Sequence, residues 1–339
     1  MKRILQISLI AALTILFLYL FLRNANLDDV WRILKSTDPK WLVIALLINF
    51  SAILFRTARW RVLLDPHQPP PFYATFFATA VGYMLSTILP IRASDVARPV
   101  LLARRTNLRF SGALGTVLME RVVDLYCILL LFVVFAFRRW SDFSQNKWFF
   151  IVKAGAIASV VLLVALTTFI AGLYLFRGGI RRAHEFIGRI VPIRFRESWM
   201  FFFDRFVQTL EITRQGRAFA IILLCTAGIW FCLTSQFIFT VLALHHPLPW
   251  DSSIFVNGIT TVGLAIPTPG GVGGFHKACQ LVLTNFYGFD IDSSVATALL
   301  FHVVGTLPVL VTGMLLFARE GLRWRDVAPK KDAGMSDEG

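Results

Sequence analysis

Apolar residues in this chain fall in long unbroken runs separated by short polar segments. They neither alternate with period two nor form a narrow helical stripe. The runs are Ile4–Leu22, Trp41–Phe55, Phe72–Leu89, Ser111–Phe137, Trp148–Phe176, Ala218–Leu244, Ile254–Ile266 and Val295–Ala318, with a shorter one at Ala278–Phe286. A helix that is apolar all round belongs in lipid or in a core, and about 20 such residues cross a hydrocarbon layer of roughly 30 Å. The pattern predicts an all-α polytopic membrane protein with about eight membrane-entering units, paired short runs counting as one. The first run follows only Met1-Lys2-Arg3. No small-residue cleavage site follows it, only Arg23-Asn24-Ala25-Asn26, so it reads as a retained helix.

Composition agrees. Of 339 residues, 56% are hydrophobic and 16% charged, and mean hydropathy is +0.67. A soluble domain usually carries about 25% charged residues. Disorder, nucleic-acid binding and an ordinary soluble enzyme are excluded on these grounds. The net charge of +14 then belongs to loops. Cys127, Cys225, Cys232 and Cys279 lie in apolar runs without CxxC or metal spacing, and read as small buried or lipid-facing side chains.

Basic clusters set the expected sidedness, because cytoplasmic loops are enriched in Lys and Arg. They occur at Lys2-Arg3, at Arg56, Arg59 and Arg61, at Arg104, Arg105 and Arg109, across Arg177–Arg217, and in the tail from Arg319. Placing all of them in the cytoplasm forces Phe72–Ala103 to enter and leave on one side, and Ile254–Tyr287 on the other. Each becomes a re-entrant helical hairpin, with a breaker at Pro90 and at Pro267–Gly274 respectively. The expectation is about six full spans plus two re-entrant hairpins, arranged as an inverted repeat of span–hairpin–span. Two short true spans in place of a hairpin remain the alternative. Both termini are expected in the cytoplasm of a multi-pass inner (plasma) membrane protein. Arg32, Lys35, Arg138 and Arg139 then fall in outer loops, against the rule. Residues 1–327 read as one transmembrane domain, with 177–217 a basic amphipathic cytoplasmic segment and 328–339 a disordered tail.

The costly residues are charges that the pattern places inside the membrane, where they must face a bundle interior or a cavity. Arg92, Asp95 and Arg98 follow Pro90. On a helix starting near Ser94 they form a phosphate seat, or instead reach the interface or pair among themselves. Glu120, Arg121 and Asp124 share one helix face and read as a substrate-orienting network, or as glue to Arg92, Arg98 or Lys277. The tip Pro267, Gly270, Gly271, Gly273 and Gly274, followed by His276 and Lys277, reads as a second anion seat or as a plain tight turn. No P-loop, dinucleotide fingerprint, nucleophile–base pair or metal cluster appears, and His245-His246 lacks a third ligand. No cofactor, metal or nucleic-acid partner is expected.

The stretch Ile88-Leu89-Pro90-Ile91-Arg92 with Asp95 and Arg98, then Glu120-Arg121 with Asp124, then Pro267-Thr268-Pro269-Gly270-Gly271-Val272-Gly273 resembles the lysylphosphatidylglycerol synthase transmembrane-region family. Arg56, Arg59 and Trp60 also fit, and the likeness covers nearly the whole chain. It departs at Ser94, where the family usually has Gly, at Asp95, where Glu is common, and at His276, where Glu is frequent. The resemblance implies a flippase-like protein that moves an anionic phospholipid or lipid-linked intermediate between leaflets, without the soluble synthetase domain and so without enzyme activity. The alternative is an accessory protein that binds a lipid, a membrane glycosyltransferase or a lipid synthase. The sequence carries no signal of oligomeric state.

Overall fold

The computed structural model describes residues 2–65, 67–89, 94–106, 108–175 and 215–321. Arg92 and Pro90, almost all of the basic segment 177–217, and the tail 328–339 lie outside them. The described residues are helical throughout, without strands: α1 (Lys2–Leu22), α2 (Leu27–Lys35), α3 (Pro39–Leu64), α4 (Phe72–Ile88), α5 (Ser94–Ala103), α6 (Phe110–Arg138), α7 (Trp140–Phe143), α8 (Phe149–Leu175), α9 (Gly216–Ala243), α10 (Ser252–Gly263), α11 (Gly274–Phe286) and α12 (Ile291–Arg319). A single 3₁₀ turn, Pro269–Gly271, joins α10 to α11.

Helix starts follow local chemistry. The side chains of Asn26, Asp38 and Asp290 accept from the backbone N–H groups of Asp28, Lys40 and Ser293, satisfying donors that the first turn leaves free. Pro39 occupies the first turn of α3, where its missing N–H costs nothing. In α2, Asp28 and Asp29 begin the helix and Arg32 and Lys35 end it, as the helix dipole favours.

Four helices are long and apolar enough to cross a bilayer: α3, α8 over Phe149–Gly172, α9 and α12. The pair α1–α2, bent by 80°, makes a fifth when counted as one. By length and apolar composition alone, the described residues fall short of six full spans. The physical reason is α6, whose 29 residues carry Glu120, Arg121 and Asp124 in the stretch that would have to be apolar. The charge assignment is corrected at α3 as well. Arg56, Arg59 and Arg61 read as a loop, but the helix runs on to Leu64 and Arg59 is fully buried in it.

Polar contacts sort the connections into two ends. At one, Asn26 N–H donates to Asp292 Oδ1 (2.7 Å), Asp38 N–H to Ala243 O (2.8 Å) and Asn146 Nδ2 to Asn285 O (2.8 Å), while Arg139 grips Asp251 through two bonds of 2.7 and 2.8 Å. At the other, Tyr73 donates to Glu320 (2.9 Å), Arg105 pairs with Glu320 (2.8 Å), and Gln215 meets His67 (3.2 Å). The start of α4 and the end of α5 both lie at the Glu320 end. The start of α10 and the end of α11 both lie at the Asp251 end. Three of the four basic residues that depart from the expected charge rule have local partners: Arg32 pairs with Asp29 (2.8 Å), Arg139 with Asp251 and Asp142, and Lys35 lies over Trp31.

Packing couples the halves of the chain. α3 packs along α9, α4 against α12 and α10 against α6. The turn at Gly270 (φ +58) touches α4, where a Cβ on the glycine would stand 2.8 Å from Thr87 O. Within the second hairpin α10 and α11 touch backbone to backbone: a Cβ on Gly263 would stand 2.5 Å from Gly274 O, and one on Gly274 2.5 Å from Gly263 O.

Candidate functional site

The charged residues of α3, α5 and α6 converge between helices. Arg98 Nη1 donates to Glu120 Oε2 at 2.7 Å. Arg59 Nη1 donates to Asp124 Oδ1 at 2.7 Å, and its Nε stands 3.6 Å from Glu120 Oε1. Arg121 lies 3.4 Å from Asp95 and 3.7 Å from Asp124, and donates to the Tyr83 hydroxyl at 3.1 Å. Arg56 lies over the Tyr83 ring, 5.0 Å from its centroid, and makes no ion pair within 4 Å among the described residues. Four arginines thus meet three carboxylates, one cation in excess.

The cluster has a sealed core and an open rim. Arg59, Arg98 and Glu120 side chains are at most 1% exposed. The Arg98 guanidinium lies 4.1 Å from the Trp60 ring centroid and 5.2 Å from that of Tyr83, so aromatic faces cover what water would otherwise solvate. Trp60 is itself fixed by donating to Thr116 Oγ1 at 3.0 Å. Gly82 makes the room: a Cβ there would run into Arg98 Cγ. Arg98 Nε and Nη2 and Arg59 Nε still lack hydrogen-bond partners. Asp95, Arg121 and Asp124, by contrast, are 25–32% exposed. A rim of guanidinium, phenol and carboxylate can bind a polar group that the core cannot reach.

Of the pairings weighed, the one between Arg98 and the α6 carboxylates is found. Arg98 meets Glu120 across two helices, not Asp95 on its own helix, and Asp95 turns to Arg121. Arg59 and Tyr83 belong to the cluster but were not singled out as site residues. Arginines spaced along the end of an apolar run are the signal for Arg59, and nothing local marks Tyr83.

The second tip is built differently. Gly271, Gly273, Gly274 and His276 are buried, Gly270 and Lys277 are half-buried, and Pro267 is exposed. Gly273 (φ +89) donates its N–H to His276 Nδ1 at 3.3 Å, and a Cβ on it would stand 2.8 Å from Phe17 of α1. The His276 ring lies 4.6 Å from that of His302 and 5.2 Å from Phe21. Lys277 donates to Gln280 Oε1 at 2.7 Å, and Gln280 donates to Phe21 O at 3.2 Å. This tip is packed by α1 at Gly273. Among the described residues, no hydrogen bond or ion pair joins His276 or Lys277 to the arginine cluster.

A neutral polar group joins α3, α9 and α12. Pro308 sits inside α12 and has no N–H to give to Val304 O, four residues before it. Asn49 Nδ2 of α3 supplies the missing donor to that carbonyl at 3.0 Å and also donates to Gln236 Oε1 at 2.7 Å; Gln236 Nε2 donates to Phe301 O at 3.3 Å. None of Asn49, Gln236 and His302 was foreseen. Pro308 inside an apolar run was the available signal, since it announces a carbonyl needing a partner.

No group of three or more His, Cys, Asp or Glu among the described residues could hold a metal ion. His245 instead meets Ser36 O at 3.1 Å, and His246 packs on Phe289. The class is a multi-pass helical membrane protein with a charge cluster buried between its helices. Residues 4–313 match the lysylphosphatidylglycerol synthase transmembrane region, and the chain belongs to that family. It is also similar to two proteins of Methanocaldococcus jannaschii. UPF0104 membrane protein MJ1078 is 24% identical over 69% of this chain and 92% of its own length; UPF0104 membrane protein MJ1595 is 21% identical over 94% of this chain and 97% of its own length.

Proposed function

We propose that the protein moves an anionic phospholipid or lipid-linked intermediate between leaflets, its headgroup meeting the rim formed by Arg56, Tyr83, Asp95 and Arg121. The observation that carries this reading is the excess cation: four arginines against three carboxylates at a depth where an unpaired charge costs several kcal/mol. A phosphate would balance it, and guanidinium matches phosphate oxygens in pairs. Membership of the transmembrane-region family supports a lipid-handling role.

The topology that suits this role has α4–α5 and α10–α11 as re-entrant hairpins entering from opposite ends, with α1, α3, α6, α8, α9 and α12 crossing. Their lengths support it, since α4, α5, α10 and α11 have 17, 10, 12 and 13 residues and fall short of a bilayer. So does the exchange of packing partners between α3–α6 and α9–α12, as an inverted repeat requires. Arg61, Arg104, Arg105, Arg109, Arg217 and Arg319 gather with Asp65 and Glu320 at one end, which we place in the cytoplasm together with both termini.

The test is net translocation of a labelled anionic phospholipid by the purified protein in vesicles. Arg121→Ala should abolish movement while the protein still inserts. Wild-type vesicles no faster than protein-free ones overturn the reading. In that case, stoichiometric co-purification of a lipid synthase or glycosyltransferase would support the accessory role.

A further inference from the structure

An apolar groove of about 470 Å³ runs between α3 and α9, lined by Ile48, Phe55, Ala227, Gly228 and Phe231 among others. We propose that it holds a hydrocarbon chain of the lipid whose phosphate meets the arginine rim. The proposal rests on the function above and names the part of the substrate that a headgroup site alone cannot explain.

Three observations lead there. First, both walls of the groove lead along their helices to residues of the cluster. Phe55 is followed by Arg56, and Ala227 is preceded by Thr226, whose hydroxyl accepts from Arg59 Nη1 at 3.3 Å. Second, the groove makes no polar demand. The Ser51 hydroxyl on its floor already donates to Leu47 O at 3.0 Å within its own helix. A polar occupant would lose its water without replacement bonds, whereas methylenes lose nothing. Third, its shape depends on a glycine. A Cβ on Gly228 would stand 2.9 Å from the Phe55 ring, so any side chain there must push that ring aside or fill the groove. From Ile48 to Phe55 the helix rises about 10 Å, a stretch that an extended acyl or isoprenoid chain can follow. The excess cation at one end selects a phosphate-bearing lipid over a neutral one with the same chain.

The experiment uses the full chain in vesicles with two probes, a phosphatidylglycerol carrying a photoreactive diazirine in its acyl chain and a diacylglycerol with the same chain. Crosslinks of the first should map to residues 48–55 and 227–232, and the second should label these positions weakly. Gly228→Leu should reduce that labelling about tenfold, the loss of roughly two buried methylenes, while labelling of lipid-facing α8 stays constant. Should Gly228→Leu fold poorly, Ser51→Phe fills the same space from the other wall and should act alike. Equal labelling by both probes, or groove labelling that survives both variants, overturns the proposal. The two readings fail separately. Groove labelling without lipid movement in wild type removes the transport function and leaves the chain site standing. Lipid movement at an unchanged rate in both filled variants removes the chain site and leaves transport standing.

Discussion

The two short-helix hairpins are stabilised by opposite chemistry. Around α4–α5 the contacts are ionic: Arg98 to Glu120, Arg59 to Asp124, Arg121 to Asp95. Around α10–α11, apart from the Arg139–Asp251 pair at the start of α10, they are neutral: Gly263 on Gly274, His276 stacked on His302, Gln280 on the Phe21 carbonyl. Ion pairs out of water must be kept complete, because losing one partner strands the other. Neutral close packing can part and re-form without exposing a charge. The difference teaches that the first hairpin cannot part from its neighbours without stranding a charge, whereas the buried contacts of the second carry no charge to strand.

The comparison is broken most severely at its ionic side. Arg59→Met leaves Asp124 only its 3.7 Å contact to Arg121 and Glu120 only Arg98, and should destabilise by about 3 kcal/mol, read as a fall in unfolding temperature in detergent. Removing both members of one pair, Arg98→Met with Glu120→Leu, should cost less than the sum of the two single changes. A double-mutant cycle showing simple additivity would contradict a coupled cluster. On the neutral side, Gly263→Val drives a branched side chain into the Gly274 carbonyl and should cost about 1–3 kcal/mol by overpacking. Its lipid movement should fall further than its stability accounts for, since the second hairpin loses its close approach. In the neutral polar group, Asn49→Ala removes the donor for Val304 O and should cost about 1–3 kcal/mol, falling towards the lower figure if water reaches the carbonyl. Amide exchange near Pro308 should rise.

The smallest effect is at the surface. The hydrogen bonds from Arg139 hold the Asp251 carboxyl below its ordinary range. A depressed folded value means that stability is present above the unfolded carboxylate range and is lost as pH falls through the folded one. Asp251→Asn should flatten that acid limb, by about 1 kcal/mol or less because the pair is partly solvated. An unchanged acid limb would mean that the pair does not tie the second hairpin to α6.

Helix positions were legible because apolar runs of membrane length leave few options. Ser111–Phe137 became Phe110–Arg138, and the helix expected near Ser94 begins there. α2 escaped because nine residues with four charges do not form an apolar run. Charges at run ends misled at α3, where Arg59 looks like a loop residue until its partners, more than sixty positions away, are seen. The residue types of the first cluster could be named from their cost in lipid, but not who pairs with whom. Neutral groups such as Asn49, Gln236 and His302 carry no such cost signal, and their pairing is a property of the packed bundle.

The 80° bend between α1 and α2 has a mechanical consequence. If α1 crosses the membrane, α2 lies along its surface with Trp31 and Leu27 exposed to the headgroup layer. A helix so placed rides with the leaflet as the bilayer thickens or thins. Its movement is passed through the Asn26–Asp292 bond to the first turn of α12, and through Phe17 of α1 to the glycine tip at Gly273. A load on α2 would therefore reach the first turn of α12 and the glycine tip at Gly273, neither of which is hydrogen-bonded to the arginine cluster among the described residues.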